Sequence, residues 1–317
     1  MTASRLRLLT VMALLFCGCG GYQLESGLSA LAPTRAVRLV FMRSFGERGS
    51  SSGCFRQPRG IACASFGHWY VADTGNDRIQ EFDGEGRYVR EIGGFGWSDG
   101  QFNRPAGIAA GRNLDIWVAD TYNRRLVRLG QDLVWAGVIN KDAEGGPLGY
   151  PNGIALNVDA SIWCTDIDAD RLIQLYQETP SELGARIQST GILSDPAGVA
   201  CSPDGNIVVA DTGNDRIAVF DRFGTLLRTW GEGILLRPRG VNVTPQGDIL
   251  IADTGNNRLV FLNRMYHLTG EHGLRGNEDG EFLEPCSVAS DPAGNVVWVA
   301  DTGNNRVQVF RVIRTTE

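Results

Sequence analysis

The sequence predicts an all-β chain folded as a six-bladed β-propeller with four-stranded blades, the last blade completed by an N-terminal strand. Three observations carry that expectation. A seven-residue string, Ala72-Asp73-Thr74-Gly75-Asn76-Asp77-Arg78 in its first copy, occurs six times. Its leading aspartates are Asp73, Asp120, Asp166, Asp211, Asp253 and Asp301, in steps of 42 to 48 residues. A second marker precedes each copy: Pro58-Arg59-Gly60, Pro105-Ala106-Gly107, Pro151-Asn152-Gly153, Pro196-Ala197-Gly198, Pro238-Arg239-Gly240 and Pro285-Cys286-Ser287. Glycine is the third signal. It fills 41 of 317 positions, about 13% against a usual ~7%, an excess that fits a chain of many tight turns.

Within the first period, strand patterns run over Gly60–Ala64, Trp69–Ala72, Arg78–Phe82 and Tyr88–Ile92, separated by Gly, Asp and Asn. Such residues favour turns because Gly adopts positive φ freely and Asp or Asn bonds nearby backbone. Four strands in about 45 residues make one propeller blade, so six periods make six blades. The last period supplies Cys286–Ala289, Val296–Ala300 and Val307–Val312 and then stops one strand short. Upstream, Leu39-Val40-Phe41-Met42-Arg43-Ser44-Phe45-Gly46 has the pattern of a fourth strand such as Leu226–Gly231, and is expected to close the ring.

Pro-x-Gly-Ile-Ala followed by a strand ending Val-Ala-Asp-Thr-Gly-Asn-Asn-Arg resembles the NHL repeat, a six-bladed β-propeller family, over residues 37 to 314. The resemblance implies the fold. It leaves function open, since NHL propellers serve as enzymes, sensors and protein- or RNA-binding platforms.

Three segments are expected: a signal peptide over 1–18, a flexible tether over 19–36 and the propeller over 37–317. Arg5 and Arg7 precede an apolar run from Leu8 to Phe16 that ends in small residues, the pattern of an export signal. Nine apolar residues are too few to span a ~30 Å hydrocarbon core. Gly18 before Cys19 resembles a bacterial lipobox, making Cys19 the expected lipid-bearing residue of a protein held on the extracytoplasmic side of a bacterial envelope. Membrane association then comes from the lipid. The formal net charge of −6 makes nucleic acid a poor electrostatic partner. Cys54, Cys63, Cys164, Cys201 and Cys286 form no metal-binding spacing. An oxidising compartment would permit a Cys54–Cys286 bond if geometry allows.

The repeated Asp-Thr-Gly-Asn run reads as structure rather than six acidic sites. Its Asp and Asn are expected to bond backbone two residues on, its Gly or Asn to supply a positive φ, and its Arg to lie over a neighbouring blade. Trp117, Trp163 and Trp298 share one strand position and read as packing between blades. The alternating Asp166, Asp168 and Asp170 suggest calcium but lack the Gly and distant Glu of an EF-hand loop. His68, His267 and His272 are placed in a turn, an outer strand and a connector. None falls on an inner strand, so the histidine-held zinc of propellers resembling amidating lyases is not expected.

What varies between repeats is where specificity can reside. The connectors Gly46–Gln57, Gly93–Arg104, Ile139–Tyr150 and Gly270–Glu284 are long, whereas Ser189–Asp195 and Gly231–Arg237 are short. Together with the middle residues of the Pro-x-Gly markers, they point to a ligand-binding face built from Arg59, Asn152, Arg239 and Trp97. Arg59 and Arg239 could instead merely pair with nearby acids. The expected function is non-catalytic binding of a protein or envelope ligand by a monomer, without cofactor or metal. The alternative is a hydrolase or lyase with a carboxylate-bound metal at the channel mouth.

Overall fold

A computed structural model describes residues 36–64, 67–111, 115–130, 132–141, 148–179, 182–188 and 191–315. The expected signal peptide, Cys19 and the tether up to residue 35 lie outside these residues, and Ala36, the tether's last position, already belongs to a strand. The described strands form six four-stranded antiparallel sheets. In the first blade they are Pro58–Cys63, Trp69–Asp73, Arg78–Phe82 and Tyr88–Gly93, within two residues of the expected bounds. The inner strands contact one another in sequence, and that of the sixth blade returns to that of the first, which closes the ring.

Closure occurs as the sequence predicts. The strand Ala36–Phe45 pairs antiparallel with Arg306–Thr315, the third strand of blade six. Mixing both ends of the chain in one sheet leaves no free edge between the first and last repeats. Pro58 pairs with Asp73 and Arg78 with Gly93, so connectors and Asp-Thr-Gly-Asn turns emerge on one face. This is the turn face.

Each second strand is packed between two neighbouring blades; Trp69–Asp73, Ile207–Asp211 and Ile249–Asp253 are buried at every position. Trp163 and Trp298 are fully buried, and Trp298 stacks on Trp69 with centroids 4.3 Å apart, joining blade six to blade one. The tryptophans are packing residues, as expected. The glycine of Pro-x-Gly lets inner strands approach: a Cβ on Gly60 would collide with the carbonyl of Ala106 in the next blade. Ser287 stands at that position in blade six, and its Oγ accepts from the Ile61 N–H at 3.3 Å.

The repeated motif works differently from the expectation in three ways. The leading aspartates are fully buried, and each accepts a backbone N–H from the connector entering its own blade, as Asp73 does from Arg56 at 2.7 Å. Only Asp166 takes the local bond, from Asp168. The motif arginine does not lie over a neighbouring blade. Arg78 pairs with Asp73 at 2.8 Å and donates to the carbonyls of Ser50, Ser51 and Cys54, clamping the connector. The same Asp–Arg pair recurs in every blade at 2.7–2.8 Å. Finally, positive φ falls on the residue before the arginine, namely Asp77, Arg124, Asp170, Asp215, Asn257 and Asn305, so an asparagine supplies it as expected in blades five and six and the glycine in none. Gly75 is needed for space, because a Cβ there would stand 2.6 Å from the Arg56 carbonyl oxygen.

Two side chains of the motif reach into the next blade. The threonine hydroxyl donates to the carbonyl of that blade's marker proline: Thr74 to Pro105, Thr212 to Pro238, Thr254 to Pro285 and Thr302 to Pro58, at 2.6–2.7 Å. Where Ile167 replaces the threonine, Thr165 donates to Ala197 instead. The positive-φ residue accepts the N–H just before that proline, as in Asp77 from Arg104 and Asn257 from Glu284. Between blades two and three both links change. Arg124 carries no acceptor, lies 4.4 Å over the Tyr150 ring and donates to its hydroxyl at 2.9 Å. Thr121 Oγ1 is buried without a partner.

Candidate functional site at the channel mouth

The channel is lined by inner-strand residues, chiefly Gly, Ala, Ile and Val with Cys63, Cys201, Asn152 and Asn242, and encloses about 250 Å³. Its lining contains no His, Asp or Glu. Burial pushes the Cys63 thiol up to about 12 and raises those of Cys164 and Cys201 further. Thiols so shifted stay protonated and unreactive. The channel wall thus mixes small and branched apolar side chains with Asn152, Asn242, Ser287 and Ser290, and its Cys63 and Cys201 thiols are chemically quiet.

Its mouth on the turn face is different. Arg59 of blade one and Arg239 of blade five flank Cys286 of blade six, three consecutive blades around the rim. With Arg237 and Arg275 they line a cavity of about 400 Å³. An adjoining cavity of about 480 Å³ is lined by Arg48, Arg56 and Arg104, and the two share Gln57, Glu284 and Thr302. Glu284 is the one carboxylate in either lining.

The motif arginines are all ion-paired. Among the described residues, none of the seven arginines of these cavities has a carboxylate within salt-bridge distance. Arg104 reaches only Gln57 Oε1 at 3.3 Å, and Arg59 Nε is buried without a hydrogen-bond partner. The alternative in which Arg59 and Arg239 simply pair with acids is therefore overturned: Glu284, the carboxylate in the same lining, forms an ion pair with neither. Burial lowers the Arg59 guanidinium below its ordinary range; Cys286 opposes that shift, whereas Arg239 and Arg104 reinforce it. Like charges are held together here without internal compensation.

Asn152 of blade three shares the channel lining with Arg59, Arg239 and Cys286, though it lines neither of the two arginine cavities. The remaining expected site residue lies apart. Trp97 is 68% exposed on the connector between blades one and two, edge-on to exposed Phe95 at 5.9 Å, and its carbonyl accepts from Arg125. Three long connectors share one shape, marked by the bridges Arg48–Phe55, Phe95–Phe102 and Arg275–Phe282. Phe95 thus occupies the place that Arg48 and Arg275 hold elsewhere. The rim is aromatic beside blade two and cationic from blade five to blade one.

Sequence reasoning found Arg59 and Arg239 but missed Arg48, Arg56, Arg104, Arg237 and Arg275. Four of the seven, Arg59, Arg104, Arg237 and Arg239, adjoin three marker prolines, Pro58, Pro105 and Pro238, the signal that could have drawn attention to them. Two histidines are also displaced from expectation: His272 ends the outer strand Leu268–His272 of blade five, and His267 sits in the turn before it. Among the described residues no three His, Cys, Asp or Glu side chains gather as a metal site. Asp166 and Asp170 are engaged by Arg171 and by the Asp195 N–H. Cys54 and Cys286 are free thiols. A carboxylate-held metal at the mouth does not fit a lining of arginines with one glutamate.

These features define a class: a six-bladed propeller with a cationic rim at the mouth of its channel. The repeats themselves are of a known kind. Residues 102–129, 193–220, 235–260 and 282–310 match the NHL repeat, and the chain carries NHL repeats in a six-bladed propeller. Over 51 residues it is 45% identical to the B-box type zinc finger protein ncl-1 of Caenorhabditis elegans and 43% identical to Protein brain tumor of Drosophila melanogaster. The match spans 16% of this chain and only 6% and 5% of those proteins. Among solved structures it is similar to virginiamycin B lyase from Staphylococcus aureus, at 15% identity and TM-score 0.61, over 87% of this chain and all of that one. A gluconolactonase from Xanthomonas campestris gives 16% identity and TM-score 0.66 over 89% and 92%. At these identities the likeness shows the fold alone.

Proposed function

We propose that the protein is a non-catalytic binding module, held by lipid on Cys19 at the extracytoplasmic side of a bacterial envelope, that captures a protein or envelope ligand on its turn face. One observation carries the binding reading: guanidinium groups that the fold leaves uncompensated at the channel mouth. Burying charge without a partner costs stability, and a ligand that supplies the missing anions recovers that cost. The repeat itself uses arginine for a different purpose, pairing each motif copy with aspartate, so the rim arginines are surplus to the fold. Trp97, with Phe95, adds an exposed aromatic contact at one end of the rim, and Asn152 a polar one inside it.

The location rests on the N-terminal pattern. A single acyl chain holds a protein only marginally, whereas several hold it firmly. Cys19→Ser should therefore release the protein from membranes in soluble form; a membrane-held Cys19→Ser variant refutes the anchor. For binding, crosslinking from intact envelopes should recover a partner with the native chain. Recovery should fall in Arg59→Ala, Arg239→Ala, Asn152→Ala and Trp97→Ala variants that remain folded. Equal or greater loss from substitutions such as Arg87→Ala or Arg222→Ala on the opposite face would refute it.

A further inference from the structure

The rim of the channel carries more than a general capacity to bind; its charge and shape specify the ligand. The two cavities adjoin through Gln57, Glu284 and Thr302 and together run from blade five across blade six to the connector entering blade two. Seven arginines line them against one glutamate, on a chain whose net charge is −6. The strip is thus locally cationic on an acidic chain. A lone phosphate or carboxylate could engage only the few guanidiniums within reach of its own oxygens, in one of the two cavities. Arginines spread over two cavities need several anionic groups joined along one extended molecule.

Two classes of polymer meet that requirement, and the lining separates them. Single-stranded nucleic acid binds where successive bases stack on aromatic side chains, yet neither cavity has an aromatic residue in its lining. The exposed aromatics of this face, Phe95 and Trp97, lie outside both linings, and Tyr122 and Tyr150 are faced by Arg104 and Arg124, at 5.9 and 4.4 Å. An acidic polypeptide needs no stacking surface. Its carboxylates match the guanidinium fork, and an extended backbone follows a groove of this length.

We infer that the strip from Arg237 and Arg239 through Arg59 and Arg275 to Arg48, Arg56 and Arg104 is a groove for an extended acidic segment of a partner protein, rich in Asp and Glu. This rests on the binding role proposed above and names the chemistry of the ligand. Arg59 and Arg239 sit deepest, beside Cys286, and read the segment where it crosses the channel mouth. Arg237, Arg275, Arg48 and Arg56 are exposed and supply attraction along the approach.

The test uses the full chain in detergent and three fluorescent probes: a decapeptide alternating Glu and Gly, its Gln–Gly counterpart, and a single-stranded oligonucleotide of equal charge. Fluorescence anisotropy should show the Glu peptide binding, the Gln peptide failing to bind, and affinity falling steeply as salt rises. Arg59→Gln with Arg239→Gln should weaken the Glu peptide at least about tenfold. Because Arg59 is half-buried, a second variant with exposed Arg237→Gln and Arg275→Gln guards against a folding defect, and it should weaken binding several-fold with unchanged thermal unfolding. Peptide affinity unaffected by both variants overturns the inference, and so does tighter binding of the oligonucleotide. If envelope crosslinking still depends on Arg59 and Arg239 while the Glu peptide does not bind, the ligand class is wrong and the binding role stands. If crosslinking is indifferent to both arginines, both fall.

Discussion

Thr302 Oγ1 donates to the carbonyl oxygen of Pro58 at 2.6 Å, joining residues 244 positions apart. It is the same bond that Thr74, Thr212 and Thr254 make to the next blade, so the junction of last and first repeats is built like the internal ones. Closure relies on a repeated contact as well as on the shared sheet.

That contact can be weighed because the chain contains its own control. Thr254→Val removes a hydroxyl bonded to Pro285, and should cost about 1–2 kcal/mol through the lost bond and the carbonyl left behind. Thr121→Val removes a buried hydroxyl that has no partner, and should be neutral or stabilising by up to about 1 kcal/mol. Urea unfolding of the two variants gives the difference; equal destabilisation would mean that the threonine acts by shape alone.

Trp298 tests the aromatic packing between blades six and one. Trp298→Ala empties a site stacked on Trp69 and edge-on to Phe45 at 5.0 Å, and should cost about 3–5 kcal/mol. A loss below about 1 kcal/mol would show that the surrounding rings collapse into the space. Trp97→Ala, on an exposed connector, should change stability by less than about 0.5 kcal/mol.

His272 gives a pH dependence with a definite sign. Burial lowers its pKa below the ordinary 6.5, and Arg38 adds to the shift. The ring packs edge-on against Phe310 at 5.1 Å and Phe282 at 6.3 Å, and Nε2 is buried without a partner. Below about pH 6.5 the unfolded chain takes up a proton that the folded chain resists, so this group's contribution is lost as pH falls toward the lowered value. Stability measured from pH 7 down to 5 should decline less steeply in His272→Phe than in the native protein. Identical slopes would show that the ring titrates normally in the fold.

Removing the closing strand tests the ring as a whole. A chain beginning at Glu47 leaves Arg306–Thr315 as an open edge, which should both lower the unfolding temperature and promote self-association through strand pairing. Sedimentation shows whether it stays monomeric; a monomer of native stability would mean that the strand is dispensable.

Strands and blade number could be read from residues because each depends on local pattern: alternation, turn glycines and a period. Ala36–Phe45 was legible for the same reason, as a fourth strand lacking its first three. The hydrogen bonds of the motif were not, because Asp73 answers a connector 17 residues upstream and Thr74 a proline 31 residues downstream. Nothing in the string Asp-Thr-Gly-Asn-Asp-Arg announces either partner. The cationic rim was half legible. Arg59 and Arg239 vary at a fixed marker, whereas Arg48 and Arg275 emerge as equivalents only once their connectors are seen to share a shape. That none of them meets an acid depends on side-chain direction, which spacing does not encode.

In the register of the closing strand, Ala36 lies opposite Thr315 and Phe45 opposite Val307. Both ends of the propeller therefore leave blade six at the same edge, on the side away from the turns. A pull applied between them opens this pair like a zipper, breaking one rung at a time instead of sliding all of them together. The seam that seals the ring against heat is thus its softest line under tension. A surface coupled through Thr315, by the same geometry, would hold the protein with its arginine groove turned outward.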